Sequence, residues 1–201
     1  SALLGTHQLL APSFHAGGSA ARLAMLDLLV PTGLSVYLTS LENHPKAVDA
    51  LMAGRALWGN RSDALRRVRD PRALAEAFAT RGIRAPRVIA HDQIASVPRD
   101  VRRWMLKPRV SGGGHGVRLW QPGEAATRGH YLQEFIEGTP ASVIFVAAGR
   151  RGVVLGITRQ LVGDGAFGIS GFRYWGNILT KDRGMLLDAT ALFDAVESEL
   201  S

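Results

Sequence analysis

The sequence contains no cysteine among its 201 residues. Disulfide bonds, thiolate nucleophiles and zinc–sulfur sites are therefore excluded from any account of its stability or chemistry. A chain without cysteine also suits a reducing compartment, so we expect a cytoplasmic protein.

Long hydrophobic runs are also missing. The longest run, near Leu23 to Val30, is interrupted by Asp27, and it is much shorter than the roughly 20 apolar residues of a membrane-spanning helix. No basic-then-apolar leader opens the sequence, so we expect no secretion signal and no membrane partner. The length allows one large or two small domains with a real core.

Lysine is scarce, because the formal net charge of +7 rests on 21 arginines and only 3 lysines. A basic surplus can indicate nucleic-acid binding, and the densest basic cluster comprises Arg66, Arg67, Arg69 and Arg72. No aromatic-stacking motif or helix-turn-helix signature accompanies this cluster, so we expect no nucleic-acid partner. Lys107 is informative against this background, because a compact ammonium group and a planar guanidinium are not interchangeable at a phosphate.

The segment around Lys107 has the composition of a phosphate site. Trp104 to Leu106 is typical of a buried strand end, and Pro108 ends the ladder because it lacks an N–H group. Four of the six residues from Ser111 to Gly116 are glycine, so several backbone N–H groups can converge on one anion. A lysine beside such a loop favours a phosphate clamp. A β-hairpin with a mobile glycine tip would explain the loop equally well.

The spacing differs from that of the better-known phosphate loops. No GxxxxGK[ST] motif is present, and the lysine precedes the glycines. No helical pattern begins after Gly116, so we do not expect an anion site at a helix N-terminus.

A second stretch, YLQEFIEG at Tyr131 to Gly138, follows at a short distance, and a predicted strand at Ser142 to Ala147 comes next. Together these segments resemble the ATP-grasp superfamily, where a KP…GGGxG segment is followed by a QEFIEG segment. The later SVIFVAAGRRGVVLGITRQLVG and FRYWGNI are similar to one branch, the predicted ATP-dependent carboligases related to biotin carboxylase. The tyramine–glutamate ligases of methanofuran synthesis are similar to that branch. The resemblance covers roughly Leu41 to Leu179.

The resemblance implies a role for each segment in binding ATP. The first would lie over the triphosphate, with Lys107, Ser111, Gly112, Gly113, Gly114, His115 and Gly116 as its contact residues. The second would be the hinge whose backbone meets the adenine edge, with Gln133, Glu134, Phe135, Ile136 and Glu137. His115 could contact a phosphate or simply face solvent, and we expect solvent exposure.

Arg159 is a further candidate. Val153, Leu155, Ile157 and Leu161 alternate with small or polar residues, so Arg159 falls on the face with the apolar pattern. An arginine there is either paired and functional or extended along an edge of the sheet. In an ATP-dependent ligase it could hold a carboxylate or a phosphate, so we group it with Lys107 as a catalytic candidate.

The expected fold class is α/β (α+β), as an ATP-grasp fold. We expect a partial N-terminal parallel α/β domain at residues 1–86, a lid subdomain at 87–133 and an incomplete C-terminal subdomain with an antiparallel sheet at 134–201. Helices are predicted after Ser19, from Pro45 and from Pro71, the last ending at Gly82. An amphipathic helix is predicted over Asp188 to Leu200.

The expected metal site is the main departure from the family pattern. An ATP-grasp ligase needs Mg²⁺ held by acidic oxygens, and the family supplies them partly from a Glu-x-Asn motif on late strands. No such motif follows Ile178; Asn177 and Asp188 are the nearest substitutes, and we assign neither. The chain therefore ends before the metal site, is a fragment, or has lost the site. The acidic residue expected to contact ribose is also displaced, because Thr139 and Pro140 follow Glu137.

The resemblance implies an ATP-dependent carboxylate–amine (or carboxylate–thiol) ligase that works through an acyl phosphate. Its cofactors would be ATP and Mg²⁺, and its partners a small carboxylate and an amine. Self-association into a homo-oligomer is left open. The alternative is a non-catalytic ATP-binding or regulatory module, which the missing metal motif favours.

Overall fold

The computed structural model describes residues 33–36, 43–52, 55–97, 103–148, 151–163, 165 and 168–180. The helices predicted after Ser19 and over Asp188 to Leu200 lie outside these residues. The chain divides into two compact units, residues 1–66 and residues 67–201. The domain boundaries at 86 and 133 stay predictions. Within the described residues, no helix has both the length and the apolar content to cross a membrane.

The first unit contains a parallel strand pair. Strand β1 (Gly33–Val36) pairs with β2 (Arg55–Trp58), and helix α1 (Pro45–Met52) lies between them in the sequence. Parallel neighbours need such a crossover, because a tight turn places the next strand antiparallel to the one before it. The predicted helix start at Pro45 is confirmed.

The core of this unit is small. Val48 and Ala47 of α1 are buried together with Leu65. Leu65 belongs to helix α2 (Ser62–Val68), which the sequence did not predict. An exposed ion pair joins Arg66 to Asp49 at 3.1 Å, and such a pair adds little to stability.

Helix α3 (Pro71–Ala79) opens the part of the second unit that matters for function. The Asp70 carboxylate caps it by accepting the N–H of Arg72 at 2.9 Å, and a proline at the first helical position suits this start. Gly82 follows the helix with a φ of +67°. The helix was predicted correctly, but Leu74 is exposed instead of buried.

The lid sheet is antiparallel with strand order β3-β6-β4-β5. Its strands are β3 (Val88–Ile89), β4 (Trp104–Pro108), β5 (Arg118–Leu119) and β6 (His130–Glu134), and a 3₁₀ helix at His91–Ser96 follows β3. One face forms a core in which Ile94, Trp104, Leu106, Trp120 and Leu132 are buried. Trp104 and Trp120 are therefore core residues of this sheet.

The C-terminal sheet contains β7 (Ala141–Ala148), β8 (Arg151–Val162) and β9 (Tyr174–Leu179) in that order. All pairs are antiparallel, and the predicted hairpin between β7 and β8 is confirmed. The predicted apolar face is not uniformly buried: Ile157 is 2% exposed, whereas Val153 and Leu155 are 64% and 62% exposed.

Candidate functional site

A cavity of about 1220 Å³ lies within the second unit. Its walls are α3, the outer face of the lid sheet, residues 111–114, residues 135–141 and the facing ends of β8 and β9. Ligand sites in proteins usually occupy such concave, largely apolar spaces with a few polar groups. The cavity is large enough for a ligand the size of a nucleotide.

Lys107 lies at one end of this cavity on the lid sheet. Register pairs Lys107 with Tyr131 and Met105 with Gln133, and opposite residues of an antiparallel pair share a face. All four therefore face the cavity, while Leu106 and its partner Leu132 face the core. Lys107 Nζ donates to Gln133 Oε1 at 3.0 Å.

Burial lowers the pKa of Lys107 below its usual value. Desolvation disfavours the charged ammonium, and the hydrogen-bond partner named above is a neutral amide. A bound anion would supply the charge that this environment lacks. The position of Lys107 therefore suits a lysine that binds a negatively charged ligand.

Two arginines strengthen the positive field at this end. Arg69 Nη2 donates to the carbonyl oxygen of Ser111 at 2.7 Å, and Arg69 and Arg109 both line the cavity. Burial raises the pKa of Tyr131, while the charges of Arg69 and Arg109 lower it. The Tyr131 phenol thus lies close enough to both arginines to sense them.

Residues Ser111 to Gly116, which we call the phosphate loop, fold back on themselves. Ser111 Oγ donates to the His115 carbonyl oxygen at 2.6 Å, and Val117 N donates to the Gly114 carbonyl oxygen at 3.2 Å. Gly113, Gly114 and Gly116 have φ angles of +59°, +74° and +72°, which side chains rarely adopt. The loop is therefore a compact turn that only glycine fits at these positions.

Four loop residues, Ser111 to Gly114, line the cavity, whereas His115 and Gly116 are exposed outside its walls. Solvent exposure of His115 was expected. Lys107 and four of the six loop residues thus line the same cavity, and their role as a phosphate clamp stays a prediction.

The tip of the loop is held by the start of β9. Tyr174 N donates to the Gly113 carbonyl oxygen at 2.9 Å, and Arg173 Nη2 lies 3.3 Å from His115 Nε2. Because arginine cannot accept a hydrogen bond, Nε2 must be the acceptor. The proton on the ring then sits on Nδ1, which lies 3.0 Å from the Gly112 carbonyl oxygen.

Residues Gln133 to Glu137, which we call the hinge, begin at Gln133, the partner of Lys107, and contribute a second part of the cavity wall. Glu134 N donates to the Arg87 carbonyl oxygen at 2.9 Å, and Phe135 N donates to the Arg103 carbonyl oxygen at 2.8 Å. Two hinge N–H groups are therefore already paired. The N–H groups of Ile136 and Glu137 donate to no other described residue, so a ligand could accept from them.

Arg103 fixes the hinge from outside. Its guanidinium lies 4.5 Å above the centre of the Phe135 ring, and it bonds the Glu137 carboxylate at 3.1 Å. Stacking on an aromatic face and a carboxylate contact both suit arginine. Phe135, Ile136 and Glu137 line the cavity together with Gln133, whereas Glu134 is outside its walls.

The hinge end is largely apolar. Its walls include Leu74 and Phe78 from α3, Val88 and Met105 from the lid sheet, and Ile136 from the hinge itself. A flat ring could be sandwiched there while its edge meets the main chain of the hinge.

Arg159 does not line this cavity. Its side chain is exposed, whereas its neighbour Gln160 and also Val162 line the cavity. Successive residues of a strand point to opposite faces, so Arg159 and Gln160 cannot both face inward. A catalytic role for Arg159 stays a prediction without support from this geometry.

Sequence reasoning missed Arg109, Tyr131 and Gln160 as cavity residues. Gln160 Nε2 donates to Ser142 Oγ at 2.6 Å, which orients the amide. Tyr131 could have been found by counting back two residues from Gln133 along a strand. Arg69 belongs to the arginine cluster noted in the sequence, but no local signal marked its bond to Ser111, which spans 42 residues of sequence.

The described residues do not fit a magnesium site. Among them, no group of three or more His, Asp or Glu side chains could hold a metal ion. Glu137 supplies the one carboxylate among the cavity-lining residues described. Asn177 is exposed and lies opposite Gln160 in the sheet. Asp188 lies outside the described residues.

A family model of the ATP-grasp domain matches residues 68–198. No sequence among the curated proteins matches the chain. Solved structures share the fold. N5-carboxyaminoimidazole ribonucleotide synthetase from Thermus thermophilus matches with a TM-score of 0.54 and 17% identity over 90% of this chain and 50% of its own.

Two further solved structures are similar. L-amino acid ligase from Bacillus licheniformis has a TM-score of 0.57 and 15% identity over 89% of this chain and 45% of its own. The IMP biosynthesis protein PurP from Thermococcus kodakaraensis has a TM-score of 0.56 and 18% identity over 81% of this chain and 52% of its own. The chain thus spans about half the length of these structures.

Proposed function

The chain belongs to the ATP-grasp family, and we propose that it binds ATP in the cavity as part of an ATP-dependent carboxylate–amine ligase. The observation that supports this most directly is the convergence of Lys107, the phosphate loop and the hinge on one cavity. The expected α+β ATP-grasp fold is confirmed by the family model and the similar structures.

The two ends of the cavity suit the two ends of the nucleotide. The adenine would lie between the apolar walls, with its edge at the free N–H groups of Ile136 and Glu137. The phosphates would lie beside Lys107, Arg69 and the phosphate loop. Gln160 lies between these ends in the wall from β8 and offers an amide to the ribose.

In the proposed reaction, a carboxylate oxygen of the substrate attacks the γ-phosphorus of ATP. The bond to the β-phosphate oxygen breaks, which gives an acyl phosphate and ADP. An amine then attacks the acyl carbon, loses a proton and releases inorganic phosphate. Lys107 would stabilise the negative charge on the transferred group, since phosphoryl transfer is catalysed mainly by placing charge.

Mg²⁺, when bound, would neutralise the β- and γ-phosphate oxygens. Because the described residues do not form a site for it, no step is assigned to the ion here. The substrate carboxylate and amine belong to the same proposal, as do a thiol acceptor in place of the amine and a cytoplasmic location.

The test is turnover by the 201-residue chain with ATP, magnesium and panels of carboxylates and amines. Phosphate release that requires both an acid and an amine supports the ligase. ATP binding without any acid-dependent phosphate release would support a non-catalytic ATP-binding module instead. The absence of an acidic metal group from the described residues favours that second candidate.

A further inference from the structure

Phe172, in the connection between β8 and β9, contacts both ends of the cavity. Its ring meets the Phe135 ring edge-on, with the centroids 6.0 Å apart and an interplanar angle of 66°. Its main chain lies against Gly114: a Cβ atom at that glycine would overlap the Phe172 carbonyl oxygen and lie 2.7 Å from the carbonyl carbon. One residue therefore contacts the hinge through its ring and the phosphate loop through its backbone.

The residues after Phe172 hold the same loop. Tyr174 N donates to the Gly113 carbonyl oxygen, and Arg173 contacts His115. Three consecutive residues, 172–174, thus contact three consecutive loop residues, 113–115. Contacts at successive positions fix the orientation of the loop tip as well as its distance.

The hinge side of this arrangement is already fixed. Phe135 is held by its N–H bond to the Arg103 carbonyl oxygen at 2.8 Å and by the Arg103 guanidinium on its ring. The Phe172 ring therefore packs on a residue that is anchored from its other side. A ligand that packs against Phe135 would also restrict the Phe172 ring, and hence the surface on which the loop docks.

We propose that Phe172 is a positioning residue that couples ligand binding at the hinge to ligand binding at the phosphate loop. This proposal rests on the proposed ATP site. A base bound at the hinge stabilises the docked phosphate loop through Phe135 and Phe172. A polyphosphate bound to the docked loop stabilises the hinge by the same contacts, because coupling between two sites is reciprocal. Aromatic edge-to-face contact and close main-chain packing are both short-ranged, and Phe172 is the residue that makes one with Phe135 and the other with Gly114.

Adenosine and inorganic tripolyphosphate serve as separate probes of the two ends. In calorimetric titrations of the full 201-residue chain, saturating adenosine should strengthen tripolyphosphate binding by about fivefold or more, which is the low end of typical coupling. In Phe172→Ala this factor should fall to about one, whereas Phe172→Tyr, which keeps the ring, should retain it. A merely structural role would weaken both ligands without changing the factor.

A glycine series tests the contact from the loop side. Gly114→Ala should abolish the coupling, because its Cβ atom meets the Phe172 backbone. Gly113→Ala has a similar positive φ, but its Cβ atom would make only an ordinary 3.5 Å contact to the His115 ring. It should therefore retain more of the coupling. Gly112→Ala, with open space around it, should lose least within the loop.

Gly123→Ala provides a control outside the site. Gly123 has a φ of +87° and nothing within 4 Å of a built Cβ atom, so this variant measures backbone strain alone. It should lower stability without changing the coupling factor. Thermal unfolding of every variant identifies any that fail to fold, and Gly114→Ala keeps the test decisive if Phe172→Ala does not fold.

The outcomes separate the two proposals. If the unsubstituted chain binds neither ATP nor the two fragments, the ATP site is wrong and the role of Phe172 falls with it. If it binds ATP but shows no coupling, or retains the coupling in a folded Phe172→Ala or Gly114→Ala variant, the ATP site stands and the positioning role is overturned. Coupling that depends on the ring and on Gly114 supports both.

Discussion

The two ends of the cavity are built in different ways. At the phosphate end, the cationic side chains of Lys107, Arg69 and Arg109 line the cavity together with the phosphate loop. The sheet register places Lys107 opposite Tyr131. At the hinge end, the contacts proposed for the base are main-chain N–H groups, and the side chains supply largely apolar walls that also include Gln133 and Glu137. A substitution can therefore remove a ligand contact at the phosphate end, whereas at the hinge end it can only alter the walls.

Both ends share one support, so the largest expected effect comes from breaking it. Leu132 is fully buried in the lid core, and it separates Tyr131 from Gln133 in the sequence. Leu132→Ala should lower the free energy of unfolding by about 2–5 kcal/mol, because it removes buried methyl groups and leaves a cavity. Urea unfolding measures this. Val110→Ala, at an exposed position, is the control, and an equally small effect at Leu132 would contradict the packing.

Lys107→Ala should weaken binding at the phosphate end and leave binding at the hinge end nearly unchanged. Loss of a charge-assisted contact costs about 1.5–3 kcal/mol, so ATP binding should weaken by about one to two orders of magnitude while AMP binding changes little. Calorimetry with both nucleotides measures the difference. Lys46→Ala, at an exposed position on α1, is the matched control. Equal losses for ATP and AMP would place Lys107 away from the outer phosphates.

Ile136→Asp should affect the hinge end without this discrimination. Ile136 is 59% exposed, so the free protein tolerates the charge, and the cost arises when a base covers it. ATP and AMP should both weaken, by about 1–3 kcal/mol. Ile136→Val, which keeps the wall apolar, is the control. A loss confined to ATP would show that the base binds elsewhere.

Gln133→Ala should be milder than either. Its side-chain oxygen accepts from Lys107 Nζ, and this bond, worth about 1.5–3 kcal/mol because its donor is charged, stabilises the free protein and not the bound nucleotide. The substitution also releases the lysine for a phosphate, which offsets part of any loss. ATP affinity in calorimetry should therefore change by only a fewfold. A loss as large as that of Lys107→Ala would mean that the amide itself contacts the nucleotide.

The smallest expected effect is a dependence of stability on pH. Because the pKa of Lys107 is lowered in the folded protein, the unfolded chain binds more protons between that lowered pKa and 10.5, the usual value. Stability relative to Lys107→Met should therefore rise as pH increases through this window. Urea unfolding of both proteins at neutral and alkaline pH measures the difference. A relative stability that falls with rising pH would contradict burial of the ammonium.

The phosphate end was largely predictable from the sequence because its signals are local. Alternation along Trp104 to Pro108 separates core residues from Lys107, and the glycines that follow identify the loop. The cap at Asp70 and the start of α3 are equally local. Arg69 and Phe172 were not predictable in this way, because each reaches the loop across 42 or more residues of sequence.

Arg159 shows the opposite limit. The apolar pattern through Val153 and Leu155 was interpreted as a buried face, but both residues are exposed while Ile157 is buried. Alternation shows which residues of β8 share a face, but not which face borders the cavity. Helix α2 was missed because its sequence is rich in arginine and has only Ser62 and Leu65 buried.

The left-handed glycines of the phosphate loop also restrict how this protein can diversify. Gly113, Gly114 and Gly116 have positive φ angles that residues with a side chain rarely adopt. A substitution at any of them therefore strains the turn, whatever its effect on ligand selectivity. Tolerated variation within the loop should therefore concentrate at Ser111, Gly112 and His115. ATP-grasp proteins that differ in the ligands they accept should therefore differ mainly in the other walls of this cavity.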